Sequence, residues 1–170
     1  WRNCQKIARA EGGADLEVLL AAAMFHDVVN LPKNAPNRAE ASRLSAEVAV
    51  AYLAGTDFPA QKLPAVAHAI TAHSFSAGGA PETPEARILQ DADRLEALGA
   101  IGLARMFMVA GQMGGGLFDP VDPMALERPL NDRRFALDHL EVKLFGLVET
   151  MRTATGRAIA AERAEWMHSF

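Results

Sequence analysis

Apolar positions recur along this chain at helical spacing, and runs that alternate with period two are nearly absent. A first helix carries Trp1, Cys4, Ile7, Ala8 and Glu11 and stops at Gly12-Gly13. Asp15 is placed to cap a second helix, from Leu16 to about Val29, whose residues are apolar nearly all round. That pattern predicts a buried central helix. A third helix is expected from about Ala39 to Leu53, with Leu44, Val48, Ala51 and Tyr52 inward and Gly55 as its stop. A fourth spans about Ala60 to His73, with Leu63, Val66, Ala67 and Ile70 on its core face. Thr83-Pro84-Glu85 combines a capping hydroxyl, a first-turn proline and an acid near the positive helix end, so it opens a fifth. This one is predicted to run on through Gly99, Gly102, Arg105 and Phe107.

Between about Gly111 and Asn131 the pattern lapses, with Gly114-Gly115-Gly116 followed by Asp119-Pro120 and Asp122-Pro123. No strand precedes the glycines, so they match no phosphate-cradling fingerprint, and the stretch reads as a flexible, lid-like loop. Asp132 then starts a long amphipathic helix through Phe135, Leu137, Leu140, Val142, Leu144, Leu147, Val148 and Met151. Thr155-Gly156 is expected to break it, and a last helix to run from Arg157 to the end. The pattern as a whole predicts an all-α, single-domain helical bundle.

Composition narrows the function classes. A chain of 170 residues suits one domain with a sound core. A formal charge of −4 and a pI near 5.7 leave no footprint for a nucleic-acid polymer or an anionic membrane. The single Cys4 excludes an internal disulfide and suits a reducing compartment. With no spanning apolar run or signal peptide visible, a cytoplasmic location is expected.

Candidate chemistry centres on His26-Asp27, where an apolar helix meets the turn Leu31-Pro32-Lys33-Asn34. Proline does not continue a helix, so the pair sits at or near a helix end, where adjacent side chains can turn toward one point. Such a pair needs partners, either a helix-end hydrogen bond or a divalent cation. His68 and His73 lie about 140° apart on a helix and do not form an i, i+4 metal pair. His73, at the helix end, is the functional candidate, and His68 is read as structural. Asp91 and Asp93 are about 200° apart on theirs, so they cannot address the same point, and periodicity does not choose between them. His139 and His168 carry no site spacing.

His26-Asp27 followed by Asp91-Ala92-Asp93-Arg94-Leu95 resembles the HD-domain superfamily of metal-dependent phosphohydrolases, whose pattern is H…HD…D. Asn30-Leu31-Pro32-Lys33, Ala72-His73-Ser74, Gln90 through Arg94, Gly99-Ala100-Ile101-Gly102 and Lys143-Leu144 resemble its small single-domain bacterial branch. The resemblance covers nearly the whole chain and implies an all-α bundle with a His₂Asp₂ metal centre. His26 and Asp27 match the central pair. Asp93 matches the last aspartate, since Ala92-Asp93-Arg94-Leu95 fits the family form, and Asp91 becomes a supporting residue behind the metal ligands. The family's first histidine has no counterpart here. It is expected about five residues, little more than a helical turn, before Trp1, and the absence of an initiating methionine fits that placement.

The implied cofactor is a divalent ion, with Mn²⁺, Mg²⁺, Fe²⁺ and Zn²⁺ all compatible with imidazole and carboxylate ligands. Phosphoryl transfer also needs positive charge around the equatorial oxygens. Lys33 is the first candidate for it, followed by Arg94, Arg105 and Arg163. Asp27 is expected to orient the attacking water, and His73 to contact phosphate or pass protons. The implied function is hydrolysis of a phosphate ester or anhydride in a small molecule, most plausibly a nucleotide. Two alternatives remain: a catalytically degenerate sensor that binds nucleotide or metal without turnover, and a helical interaction domain in which His26, Asp27 and Asp93 are unrelated.

Overall fold

A computed structural model describes residues 1–31, 35–74 and 79–170. Its elements are α-helices joined by short 3₁₀ or π turns, and among the described residues the only β pairing is an isolated bridge between Gly116 and Phe135. The chain forms two compact units. One comprises Trp1–Asp93 with Arg152–Thr155, the other Arg94–Met151 with Gly156–Phe170.

In the first unit, α1 (Arg2–Glu11) buries Cys4, Ile7 and Ala8. Helix α2 (Leu16–Phe25) starts where Asp15 accepts hydrogen bonds from the Glu17 and Val18 amides, at 3.0 and 3.3 Å. It is not buried all round. Val18, Leu19, Ala21 and Ala22 are buried, whereas Leu16, Leu20 and Met24 line an exposed face that Val28 continues beyond the helix end. Helix α3 (Ala41–Ala54) follows a 3₁₀ turn over Arg38–Glu40. Its buried side is Ser42, Ser45, Ala46, Ala49 and Leu53, and the expected inward residues Val48, Ala51 and Tyr52 are exposed. Small residues on that side let α3 pack principally on α4 (Leu63–His73), which in turn packs on α2. Helix α5 (Pro84–Leu95) begins with the Ala86 amide donating to Thr83 Oγ1 at 3.2 Å, as the sequence predicts.

Helix α5 does not run on through Gly99. The chain turns at Leu95, and α6 (Gly99–Gln112) starts afresh with Gly99 at φ +77°, a conformation that costs glycine little. Gly102 is required by proximity, since a Cβ there would lie 2.2 Å from the Ala97 carbonyl oxygen. The long helix expected from Asp132 is also absent. The Arg134 carbonyl and the Ala136 amide bond instead to the backbone of Gly116, each at 2.9 Å. Asp138 captures the Asn131 amide at 2.6 Å and the Arg128 guanidinium at 2.5 and 2.8 Å. With those groups taken, the segment reaches only a π turn over Leu140–Leu144 and 3₁₀ turns over Phe145–Thr150. Val142, expected inward, is exposed. Helix α7 (Ala154–His168) includes Gly156, the predicted breaker, as a buried internal residue. No helix among the described residues is long and apolar enough to cross a membrane.

Candidate metal centre

Helices α2 and α4 end in the same way. His26 sits at the C-terminal cap of α2, and its Nδ1 lies 2.9 Å from the Ala23 carbonyl oxygen. His73 is the last residue of α4, and its Nδ1 lies 2.5 Å from the Ile70 carbonyl oxygen. A carbonyl oxygen only accepts, so in the neutral form of each ring Nδ1 carries the proton and Nε2 keeps the lone pair. Each histidine thereby satisfies one of the carbonyls a helix C-terminus leaves unpaired, while aiming a ligand atom outward. The two rings meet edge to face, with centroids 5.0 Å apart.

Asp27 lies between them. Its Oδ2 is 3.7 Å from His26 Nε2, and its Oδ1 is 3.7 Å from His73 Nε2. From α5, Asp93 Oδ1 approaches His26 Nε2 to 4.0 Å. Two ligands of one ion, each about 2.1 Å from it, lie at most about 4.2 Å apart, so all three separations suit a shared cation. His26, Asp27 and His73 offer donor atoms that all fall within 4.8 Å of one another. The imidazole of His73 is 6% exposed, whereas the carboxylates of Asp27 and Asp93 are 67% and 45% exposed. The centre is therefore closed at His73 and open to solvent on the carboxylate side, where a water or a substrate oxygen has room.

The charges are interlocked. His73 beside it holds the Asp27 carboxyl below its ordinary range, against burial, and the positive charge of Arg38 adds to the effect. Burial depresses the pKa of His73, but Asp27, the Ile70 carbonyl and Asp93 together outweigh it, so the net shift is upward. Divalent ions bind neutral imidazole and ionised carboxylate, and this donor set offers both kinds.

Other expected site residues lie elsewhere or fall outside what the structure describes. Lys33 lies outside the described residues. Arg94 is buried and donates to the Thr150 carbonyl at 2.5 Å, and Arg163 donates to the Leu95 carbonyl at 2.5 Å. Arg105 is exposed, with a 3.4 Å contact to the Glu96 carbonyl. Asp91 is fully buried and accepts from the Arg152 amide, the Thr153 amide and Thr153 Oγ1, at 2.8, 2.8 and 2.7 Å. His68 accepts from the Glu82 amide at 3.2 Å. Two residues near the centre escaped the sequence reading. Arg38, whose guanidinium bonds Asn30 Oδ1 and the Leu31 carbonyl, was hidden in a polar loop. Gln90, an amide 2% exposed three residues before Asp93, shares its side of α5 with charged residues, and nothing in the periodicity singled it out.

Helices that deliver two imidazoles and two carboxylates to one another's reach define a helical protein with a candidate His/Asp metal centre. A family model, that of the HD domain, matches residues 1–98. The chain belongs to the HD-domain family. It is 34% identical over 161 residues to the uncharacterised protein YpgQ of Bacillus subtilis, an alignment covering 92% of this chain and 70% of YpgQ. The crystal structure of YpgQ in complex with ADP superposes with a TM-score of 0.74 at 32% identity, covering 99% of this chain and 77% of that one. An HD-superfamily hydrolase from Bacillus thuringiensis matches with the same TM-score at 28% identity, over 99% of this chain and 77% of its own.

Proposed function

We propose that this protein is a divalent-metal-dependent phosphohydrolase that cleaves a phosphate ester or anhydride of a nucleotide. The observation that carries the reading is the facing of Asp27 toward both Nε2 atoms, with Asp93 beside His26. Membership of the HD family and the ADP complex of YpgQ support the nucleotide part.

His26, Asp27, His73 and Asp93 are the residues that would hold the ion. When bound, it would supply Lewis acidity, activating water and polarising a phosphoryl oxygen. Asp27, more exposed than either histidine, is placed to accept a hydrogen bond from the attacking water and fix its direction. His73 Nε2 faces Asp27 from a dry wall and is read as a donor to the ion, in place of the phosphate contact or proton relay expected from the sequence. Arg38 supplies positive charge close enough to act on Asp27, and with Lys33, five residues earlier in the sequence, it is the candidate to meet phosphate oxygens. Arg94 and Arg105 are weaker candidates for that role, and Asp91 supports α5 from the side opposite Asp93.

The test is phosphate release from a nucleotide panel with Mn²⁺, using the purified chain and an N-terminally extended version. Turnover that is lost in Asp27→Asn supports the reading. Absence of turnover from either version, with metal shown to be bound, refutes it. Tight ADP binding without turnover would instead establish the sensor, the reading that a nucleotide complex of a relative equally accommodates.

A further inference from the structure

We propose that Gln90 is a positioning residue for the centre, clamping the peptide that carries His73 to the helix that carries Asp93. This rests on the metal-site reading above for its functional meaning, though not for its geometry.

The Gln90 amide is buried between two groups of fixed polarity. Its Nε2 donates to the Ala72 carbonyl at 2.9 Å, and its Oε1 accepts from Arg152 Nε at 3.3 Å. A carbonyl only accepts and a guanidinium only donates, so the orientation of the amide is settled by its partners. The Ala72 carbonyl belongs to the same planar peptide as the His73 amide nitrogen. Holding that oxygen therefore fixes the plane from which the His73 side chain departs. It is also one of the carbonyls that the end of α4 leaves without a helical partner. The neighbouring unpaired carbonyl, of Ile70, is taken by the His73 ring itself.

Gln90 is three residues before Asp93, on the adjacent turn and the same side of α5. One side chain thus spans from the Asp93 helix to the His73 peptide. Its far end is anchored by Arg152, whose own amide is bound by Asp91 at 2.8 Å. The path from Asp91 through Arg152 and Gln90 to Ala72 is a continuous set of hydrogen bonds, and it ends one residue from the most buried imidazole of the centre. Neither of these two Gln90 hydrogen bonds goes to an ion-holding atom. Groups that orient ligands in this way typically govern affinity by about tenfold or more.

The test uses Gln90→Met, which keeps length but removes both bonds, and Gln90→Glu, which keeps an acceptor for Arg152 but loses the donor to Ala72. The first readout is Mn²⁺ affinity, from the loss of the free-ion resonance on titration. Both variants are expected to bind about tenfold more weakly, while Asp138→Asn, destabilised through an unrelated ion pair, keeps parental affinity. The second readout needs no metal: nitrogen chemical shifts of the ¹⁵N-labelled imidazoles at alkaline pH. In the parent, His73 should show a single Nδ1–H tautomer, and in Gln90→Met a mixture. A Gln90→Met variant that binds Mn²⁺ within twofold of the parent, or retains the single tautomer, overturns the proposal. A parent that binds no Mn²⁺, with the tautomer still scrambled in Gln90→Met, overturns the metal reading and leaves the clamp standing.

Discussion

Asp91→Asn isolates the hydrogen bonds that hold α5 to the segment before α7. The carboxylate is fully buried, with Oδ1 accepting from the Arg152 amide and Oδ2 from both the amide and the hydroxyl of Thr153. Asparagine has the same shape but only one acceptor oxygen. If that oxygen takes the Oδ2 position, the new NH₂ faces the Arg152 amide. If it takes the Oδ1 position, the NH₂ faces the Thr153 amide, although the hydroxyl can rotate to accept. Either way one backbone donor is left facing another donor, at a cost of about 1–3 kcal/mol. The surviving bonds also lose their charge assistance, about 1 kcal/mol more. Relief of the buried charge offsets part of this, so the net loss should be about 2–3 kcal/mol. With a urea m-value of about 2 kcal/mol/M, the midpoint should fall by about 1–1.5 M at unchanged slope, read by far-ultraviolet circular dichroism. Asp91→Ala, which orphans all three donors, should fall further. A midpoint shift under about 0.3 M for the asparagine variant would show that these bonds do not hold the two segments together.

Asp138 is held below the ordinary carboxyl range by Arg128, against burial and with help from the Asn131 amide. Because its folded pKa is depressed, its stabilisation is complete above the unfolded value of about 3.9 and is lost as pH falls through the folded one. Asp138→Asn should therefore destabilise the protein at pH 7, seen as a lower melting temperature than the parent's. The gap to the parent should close below about pH 4, as thermal melts across pH would show. Gly102→Ala drives a methyl group into the Ala97 carbonyl, 2.2 Å away, and should cost about 1–3 kcal/mol in chemical denaturation; an unchanged midpoint would contradict the packing at the start of α6. Mn²⁺ at a hundred times its dissociation constant should stabilise the parent by about 2.7 kcal/mol. Chelator should remove that gain, and His26→Ala or Asp93→Asn should abolish it, as thermal shift would report.

How much of this was legible in the sequence depended on whether the cause was local. Helix α2 ends at Phe25 with His26 as its cap, four residues short of the expected Val29, whereas the start of α5 at Thr83 is set by adjacent residues and could be read directly. The exposed face of α2 could not, because a segment apolar on every side does not say which side meets a neighbour. On α3 the large residues suggested one inward face, but the small residues Ser42, Ser45, Ala46 and Ala49 set the close approach to α4. The missing helix after Asp132 has a distant cause, since backbone groups that would have built it are bound at Gly116. Within the site, His26 and Asp27 were visible as neighbours. The distinction between Asp91 and Asp93 required the resemblance, and the structure then places their carboxylates on different partners. Gln90 and Arg38 act through contacts of tertiary origin, which periodicity does not report.

The sign of the charge around the centre constrains how a phosphate can enter it. Two helices point their C-termini there, each worth a fraction of a negative charge. Asp27 and Asp93 add two carboxylates, and among the described residues Arg38 contributes positive charge at Asp27. A site so weighted repels a nucleotide phosphate and attracts a cation, so the two ligands should bind with positive coupling rather than independently. Linkage makes that coupling reciprocal: the factor by which Mn²⁺ tightens ADP is the factor by which ADP tightens Mn²⁺. Calorimetric titration of ADP, with and without saturating Mn²⁺, should give affinities at least about fivefold apart, the low end of ordinary coupling energies. In Arg38→Met the metal-free affinity should fall further while the dependence on Mn²⁺ persists. Equal ADP affinity in chelator and in Mn²⁺ would place the nucleotide away from His26, Asp27 and Asp93, and the electrostatic argument for a phosphate site there would fail.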